Sequence, residues 1–111
     1  ALDFFVCPRR GCVLVLEYLE GSCTLEDGVV AAPGGSLTEG VACTLTRCLL
    51  EAVAHTHKCG IIHRDVKAQN VLVTGDRAAG ALRDLRLIDF NTAQRIADSG
   101  CLTLTGTPDY L

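Results

Sequence analysis

One stretch of the sequence, residues 61–73, constrains the fold more than any other. The apolar pair Ile61-Ile62 leads into it and the apolar triplet Val71-Leu72-Val73 leads out of it, with mostly polar and charged residues between them. The apolar runs predict two short buried strands, and the residues between them predict a loop. A polar loop adds little to a core, so we interpret this one as a surface loop that carries functional residues.

Composition narrows the class of protein around this loop. With 111 residues, 49% of them apolar, the chain fits one small globular domain or part of a larger one. A net charge of −3 with mixed signs gives no basic stripe, so we expect no nucleic-acid partner, and no apolar run approaches the length of a membrane span. The seven scattered cysteines contain no C-x-x-C pair, which favours reduced thiols in an intracellular protein, cytoplasmic or nuclear.

The two ends lead us to expect a piece of a larger domain. The sequence opens without Met in the apolar run 2–6 and closes at Leu111 without a polar tail. The elements predicted below are a hairpin, two helices and several tiny strands, which cannot close a core of this hydrophobicity by themselves. We therefore expect that the isolated chain does not fold stably.

The first part of the chain predicts a β-hairpin and a short helix. Residues 2–6 and 12–16 are rich in strand-forming residues and flank the turn Pro8-Arg9-Arg10-Gly11, which predicts an antiparallel hairpin buried on at least one face. A polar connector follows, and residues 24–32 then predict a helix with two acidic residues in its first turn. A Pro-Gly-Gly run ends this helix at residue 33.

A second helix, over residues 37–58, has the clearest local signals. Ser36 and Glu39 fit a capping box with Ser36 at the N-cap, and Gly60 supplies a left-handed C-cap. Apolar residues that recur every four positions predict its buried face: Leu37, Val41, Leu45, Leu49 and Val53.

Beyond the central loop the sequence predicts less regular structure. Residues 74–83 contain two glycines and predict a turn region, and residues 85–88 predict a short strand that ends at Asp89. Residues 91–111 are mostly small and polar, which predicts an extended surface segment.

Four side chains in and after the loop have the chemistry that phosphoryl transfer requires. Asn70 and Asp89, at the ends of short strands, offer the hard oxygen ligands that Mg²⁺ takes. Asp65, left without a metal, can accept a hydroxyl proton, and Lys67 can neutralise charge on a transferring phosphoryl group. Positioning and electrostatics of this kind supply most of the catalysis of phosphoryl transfer.

Four motifs carry a resemblance to one family. The run His63-Arg64-Asp65-Val66-Lys67-Ala68-Gln69-Asn70 fits H-R-D-x-K-x-x-N and resembles the catalytic loop of protein kinases. Residues 87–90 resemble the strand that leads into the D-F-G motif, residues 105–111 resemble the segment that precedes A-P-E, and residues 14–19 resemble the last N-lobe strand entering the hinge. The resemblance therefore extends over essentially the whole chain.

The resemblance implies a fold, a division of the chain and an activity. The fold would be α+β and protein kinase-like, with the end of an N-lobe hairpin in residues 1–16, a hinge in 17–23 and an incomplete C-lobe in 24–111. The activity would be transfer of the ATP γ-phosphate, with Mg²⁺, to a Ser or Thr hydroxyl of a protein substrate. Lys67 and Thr107 resemble the serine/threonine class rather than the tyrosine class. A pseudokinase, acting as a binding or scaffolding module, is the main alternative; a small-molecule phosphotransferase of similar fold is a further one.

The resemblance also implies a role for each matching residue. Asp65 would be the catalytic base, Lys67 would contact the γ-phosphate, and Asn70 and Asp89 would bind Mg²⁺. Residues expected to contact the nucleotide are Leu16, Glu17, Leu19, Leu72 and Ile88. Residues expected to regulate or complete the site are Arg64, paired with a phosphorylated Thr103 or Thr105, and Thr107, bonded to Asp65 and Lys67. His63 and Phe90 would pack against each other.

One position departs from the family pattern. Asn91 stands where the D-F-G motif has Gly, which eases reorganisation of the backbone. Asn tolerates a left-handed conformation better than most residues, so we expect retained Mg²⁺ binding with altered switching of this loop. The same departure keeps the pseudokinase alternative open.

Overall fold

The part of the chain that the structure describes folds into three small antiparallel sheets, with two α-helices beside the largest of them. The computed structural model describes residues 3–8 and 11–98. The strands are β1 (Asp3–Cys7), β2 (Gly11–Val15), β3 (Cys23–Thr24), β4 (Ile61–Ile62), β5 (Val71–Asp76), β6 (Ala81–Leu87) and β7 (Gln94–Arg95), and the helices are α1 (Leu25–Ala31) and α2 (Glu39–Lys58). The sheets have the strand orders β1-β2, β3-β5-β6 and β4-β7. This mixed content confirms the α+β class.

The N-terminal hairpin has the predicted pairing but not the predicted burial. Strands β1 and β2 are antiparallel, with Phe4 opposite Leu14 and Val6 opposite Cys12. Every side chain of the two strands that the structure describes is exposed, and the values for Phe4 and Val6 are 56% and 68%. The expectation of one buried face is therefore wrong, because a two-stranded ribbon cannot cover either of its faces by itself.

Helix α1 begins and ends within one residue of its prediction because its first residues cap it well. The Thr24 hydroxyl oxygen accepts a hydrogen bond from the Asp27 backbone N–H at 3.1 Å and donates one to the Asp27 carboxylate at 2.7 Å. The helix ends at Ala31, before the short 3₁₀ turn Pro33–Gly35. The acidic first turn also complements the positive end of the helix dipole.

Helix α2 starts later than predicted. Thr38 rather than Ser36 is its N-cap, and the Thr38 hydroxyl oxygen accepts a hydrogen bond from the Val41 N–H at 3.4 Å. Ser36 closes the preceding 3₁₀ turn in an extended conformation, two residues before the N-cap Thr38, so the predicted capping box with Glu39 is wrong. The other end is as predicted: Gly60 has a φ of 73°, and its N–H donates to the His57 carbonyl at 2.9 Å.

The core lies between helix α2 and the sheet β3-β5-β6. Its buried residues are Leu45, Val71, Val73, Leu82 and Leu85, and the partly buried Leu37, Val41 and Leu49 of the predicted helix stripe pack around them. Gly28 lets α1 approach the sheet closely, since a Cβ at this position would lie 2.8 Å from the Leu82 Cδ1 atom. Strand β5 begins directly after the central loop, and the packing of its Val71 and Val73 in this core fixes its position.

The turn predicted over residues 74–83 is wrong. Strand β5 continues to Asp76 and β6 begins at Ala81, so the connection comprises only residues 77–80. Gly75 lies inside β5 with a φ of 122°, where a Cβ would be 2.3 Å from the Ala81 carbonyl oxygen. Gly75 therefore permits a close approach of β5 and β6. The predicted strand is too short because the prediction treats a glycine as its end.

The described residues also bear on the predictions about membrane spans and cysteine pairing. Within residues 3–8 and 11–98, no helix combines the length and the hydropathy needed to cross a membrane. Five cysteines in the described part are free thiols: Cys12, Cys23, Cys43, Cys48 and Cys59. Of the segment predicted to be extended, residues 94–95 form β7 against β4, and residues from 99 onward lie outside the described part.

Candidate active site

The central loop folds around the carboxylate of Asp65. One carboxylate oxygen, Oδ2, accepts a hydrogen bond from Asn70 Nδ2 at 2.9 Å and lies 3.0 Å from Lys67 Nζ. Asn70 Nδ2 also donates to the Asp65 backbone carbonyl oxygen at 2.9 Å. The structure thus brings together three of the four predicted catalytic residues through contacts within six positions of the chain.

Burial makes this arrangement more rigid than a surface ion pair. Asn70 is buried, and the side chains of Asp65 and Lys67 are only 13% and 19% exposed. A half-buried pair is less screened by water and salt than an exposed one, and the hydrogen bond from Asn70 fixes the carboxylate in direction. Asp65 is consequently held in one orientation beside a cation.

His63 connects the loop to the segment after β6 that carries Asp89. Its ring is 2% exposed, and its Nε2 lies 2.9 Å from the Ile88 carbonyl oxygen. Its Nδ1 lies 3.3 Å from the Asp65 backbone nitrogen, whose N–H can only donate. Nδ1 therefore accepts and Nε2 carries the proton, which assigns one neutral tautomer. The Phe90 ring packs edge-on against the imidazole with centroids 4.6 Å apart, as predicted for this pair.

Asp89 is placed beside the loop but is not bonded to it. The Ile88 N–H donates to the Asn70 carbonyl oxygen at 2.9 Å, which sets Asp89 one residue from the loop network. Among the described residues, the Asp89 carboxylate accepts its hydrogen bond from the Asn91 N–H, at 3.3 Å. Asp89 has a φ of 62° and Arg64 has a φ of 69°, values that cost free energy for residues with a Cβ and cluster at functional sites.

The residues present fit a magnesium ion supplied together with phosphates. Both side-chain hydrogen bonds of Asn70 are made by Nδ2, so its Oδ1 is the atom that can face a cation. Asp89 adds an exposed carboxylate. No group of three His, Cys, Asp or Glu side chains within the described residues could hold a metal ion alone. Two protein oxygens completed by water and phosphate oxygens are, however, a coordination that Mg²⁺ commonly adopts.

The five residues predicted to contact a nucleotide lie on the connector after β2, on the central strand β5 and directly after β6. Leu16 and Glu17 are exposed, and Glu17 is 3.9 Å from Arg86 in a weak surface ion pair. The Leu19 carbonyl oxygen accepts a hydrogen bond from Ser22 at 3.2 Å. The remaining two residues, Leu72 on β5 and Ile88 after β6, are half-buried.

Arg64 has a partner that the sequence did not predict. Its Nη1 donates a hydrogen bond to the side-chain oxygen of Gln94, whose own Nε2 donates to the Asp98 carbonyl oxygen at 2.8 Å. The Thr92 hydroxyl likewise donates to the His63 carbonyl oxygen at 3.1 Å. The predicted partners and substrate-loop residue, Thr103, Thr105 and Thr107, lie outside the described residues.

A second unpredicted contact ties α1 to the loop. Gln69 Nε2 donates to the Glu26 carboxylate at 2.8 Å, across 43 positions of the chain. No local signal marks this pair, because it depends on how α1 packs beside the 3₁₀ turn Ala68–Asn70.

Comparison with known proteins identifies the family. The protein kinase domain family matches residues 2–111. The chain is 38% identical over 100 residues to serine/threonine-protein kinase cds1 of Schizosaccharomyces pombe, an alignment that covers 88% of this chain and 20% of that protein. It is 33% identical over 109 residues to serine/threonine-protein kinase pim-2 of Danio rerio, covering 98% of this chain and 33% of that protein.

A third relative is serine/threonine-protein kinase 17A of Oryctolagus cuniculus, 33% identical over 100 residues, with 89% of this chain and 24% of that protein aligned. The chain thus spans a third or less of the length of these three relatives. The family match covers almost every residue, so the chain belongs to the protein kinase domain family. The predicted family and fold class are confirmed.

Proposed function

We propose that this chain carries the catalytic loop of a serine/threonine protein kinase, which transfers the γ-phosphate of ATP to a Ser or Thr hydroxyl of a protein substrate. The observation that supports this most strongly is the Asp65 carboxylate held by Lys67 and Asn70 at 3.0 and 2.9 Å. The relatives' names give the class of substrate and reaction.

The loop residues divide the chemical work between them. The substrate hydroxyl oxygen forms a bond to the γ-phosphorus, the bond from that phosphorus to the β–γ bridging oxygen breaks, and ADP leaves with the electron pair. The hydroxyl proton passes to the Asp65 carboxylate, which Asn70 orients toward the substrate. Lys67, whose ammonium group has three donors, contacts the γ-phosphate while remaining close to Asp65. Holding these groups in place is the main source of rate for this reaction.

Asn70 and Asp89 would hold Mg²⁺ through one amide oxygen and one carboxylate. Bound Mg²⁺ supplies positive charge against the phosphates of ATP. The nucleotide itself would lie against Leu16, Leu72 and Ile88, with backbone groups of Glu17 and Leu19 directed at its base. In this proposal residues 1–16 end an N-lobe hairpin, residues 17–23 form the hinge and residues 24–111 begin the C-lobe.

The segment beyond the described residues would regulate the site. A phosphate on Thr103 or Thr105 would pair with Arg64, and Thr107 would hydrogen-bond Asp65 and Lys67. The free thiols of the described part agree with a reducing compartment, and we place the protein in the cytoplasm or nucleus.

A pseudokinase is the second candidate, and one observation favours it. Asn91 stands where the D-F-G motif has Gly, and its N–H donates to Asp89 Oδ1 at 3.3 Å in a local turn. If Asn91 keeps the loop around Asp89 in one conformation when nucleotide is present, the fold would serve as a binding module without phosphate transfer.

Phosphate transfer from radiolabelled ATP to a Ser/Thr peptide by the full-length protein separates the two candidates. We expect Asp65→Asn to lower the rate about 10²- to 10⁴-fold, the usual contribution of a positioned general base. Glu51→Gln on the exposed surface of α2 removes the same charge and should leave the rate unchanged. A wild-type protein that binds ATP but transfers no phosphate would establish the pseudokinase instead.

A further inference from the structure

The residues after Phe90 fold back along the strand that leads into the loop. Residues Gln94 and Arg95 of β7 pair with β4, with Gln94 opposite Ile62. On either side of this pairing, the Thr92 hydroxyl donates to the His63 carbonyl oxygen at 3.1 Å and the Ile96 N–H donates to the Gly60 carbonyl oxygen at 2.8 Å. The backbone of Gln94 is therefore held opposite Ile62, which lies two residues before Arg64 in the sequence.

The Gln94 amide can have only one orientation in this position. Its Nε2 donates to the Asp98 carbonyl oxygen at 2.8 Å, a contact that requires a donor. Its Oε1 must then be the atom facing Arg64, where it accepts the hydrogen bond from Nη1. Both ends of the amide are used, and the side chain is half-buried, so the acceptor offered to Arg64 is fixed in advance.

The bond between Gln94 and Arg64 needs no phosphate. A neutral amide oxygen accepts from a guanidinium without cancelling its charge, whereas a phosphate would make charge-assisted bonds about twice as strong. The amide is nevertheless always present, because it belongs to the same folded unit. Arg64 has a left-handed φ of 69° and directly precedes Asp65, so whatever holds the guanidinium also restrains the backbone at the carboxylate.

We propose that Gln94 is a positioning residue that holds Arg64, and through it the Asp65 loop, in place when the protein carries no phosphate. This proposal rests on the proposed function only for its effect on rate; the restraint on the loop stands on the contacts alone. It also gives Arg64 a permanent partner in addition to the phosphorylated residue expected from the family resemblance.

The test uses the full-length protein after phosphatase treatment. Gln94→Met keeps the length of the side chain and removes both the acceptor for Arg64 and the donor to the Asp98 carbonyl oxygen. We expect it to lower peptide phosphorylation about tenfold, the effect of losing the hydrogen bond to the charged Arg64. Hydrogen exchange of residues 61–70 should rise by a similar factor. Gln94→Glu keeps an acceptor and should exchange no faster than the wild type. Arg95→Met, the neighbouring exposed residue of β7, is the matched control and should change neither measurement.

A double-mutant cycle shows whether the effect passes through Arg64. In an Arg64→Met background, Gln94→Met should have a much smaller effect on rate and on exchange of residues 61–70, because only the bond to the Asp98 carbonyl oxygen is then left to lose. Equal exchange in Gln94→Met and Arg95→Met, or an undiminished Gln94→Met effect in the Arg64→Met background, would overturn the proposal. If the wild type transfers no phosphate, the proposed function fails while the exchange measurements still decide the role of Gln94.

Discussion

Replacing His63 by Phe tests whether the imidazole nitrogens, rather than an aromatic ring as such, connect the loop to the segment after β6 that carries Asp89. The change keeps an aromatic ring beside Phe90 but removes both ring nitrogens. The Ile88 carbonyl oxygen then loses a donor at 2.9 Å and the Asp65 N–H loses an acceptor at 3.3 Å. Both partners are backbone groups in half-buried residues, and water cannot easily reach a ring position that is 2% exposed.

The magnitude follows from these two bonds. A buried backbone group left without a partner costs about 1–3 kcal/mol, and the longer Asp65 contact belongs at the lower end of that range. The two together cost about 2–4 kcal/mol on this scale, and the more apolar ring returns about 1 kcal/mol through burial. We therefore expect His63→Phe to lower the free energy of unfolding by about 1–3 kcal/mol, a large share of the usual stability of a domain.

The assay is urea unfolding of the full-length protein followed by circular dichroism, with His57→Phe as the control. His57 is an exposed residue in the last turn of α2, where such a change should have an effect within about 0.5 kcal/mol. Nitrogen NMR of the His63 ring should also show the proton on Nε2. If the two variants unfold at the same urea concentration, the ring nitrogens add nothing and the reasoning is refuted.

Two further predictions concern glycine positions and the departure from D-F-G. Gly28→Ala should destabilise the protein by about 1–3 kcal/mol, because its Cβ would lie 2.8 Å from Leu82 Cδ1. Gly40→Ala, in open space on α2, should instead stabilise it by about 0.5–1 kcal/mol, and urea unfolding of both variants checks the opposite signs. Asn91→Gly should leave Mg²⁺-dependent nucleotide binding intact, since Asp89 remains, and speed hydrogen exchange of residues 88–93; unchanged exchange and ATP turnover would contradict it.

Elements whose signals are local were predictable from the sequence. The apolar period and the C-terminal Gly60 predict helix α2, and only its start differs in the structure, because Ser36 and Thr38 are both good capping residues and the choice depends on the preceding turn. The turn residues predict the hairpin. They do not predict its burial, because the apolar content of a strand does not show that another element covers it.

The contacts of the site also differ in predictability according to how far apart the two residues lie along the chain. Asp65 meets Lys67 and Asn70 within six positions, so the spacing of the motif was enough to predict that they act together. His63 meets Ile88 across 25 positions and Arg64 meets Gln94 across 30. The Arg64 contact requires the pairing of β4 with β7, two-residue strands whose register no sequence pattern specifies. The His63 contact depends on how the loop packs against the residue that follows β6.

Residues outside the motif also affect the geometry of the site. The motif contains the residues that we propose act on a substrate. Thr92 hydrogen-bonds the backbone of the loop and Gln94 hydrogen-bonds Arg64, and neither belongs to a motif. A side chain that positions another can be replaced by any group that offers the same hydrogen-bonding atom at the same place. Its residue type in a single sequence therefore does not reveal its role. Its effect is nonetheless transmitted to Asp65, because the loop is restrained by contacts on both sides. Substitutions at residues 92–96 should therefore alter the site more than their distance from the motif implies.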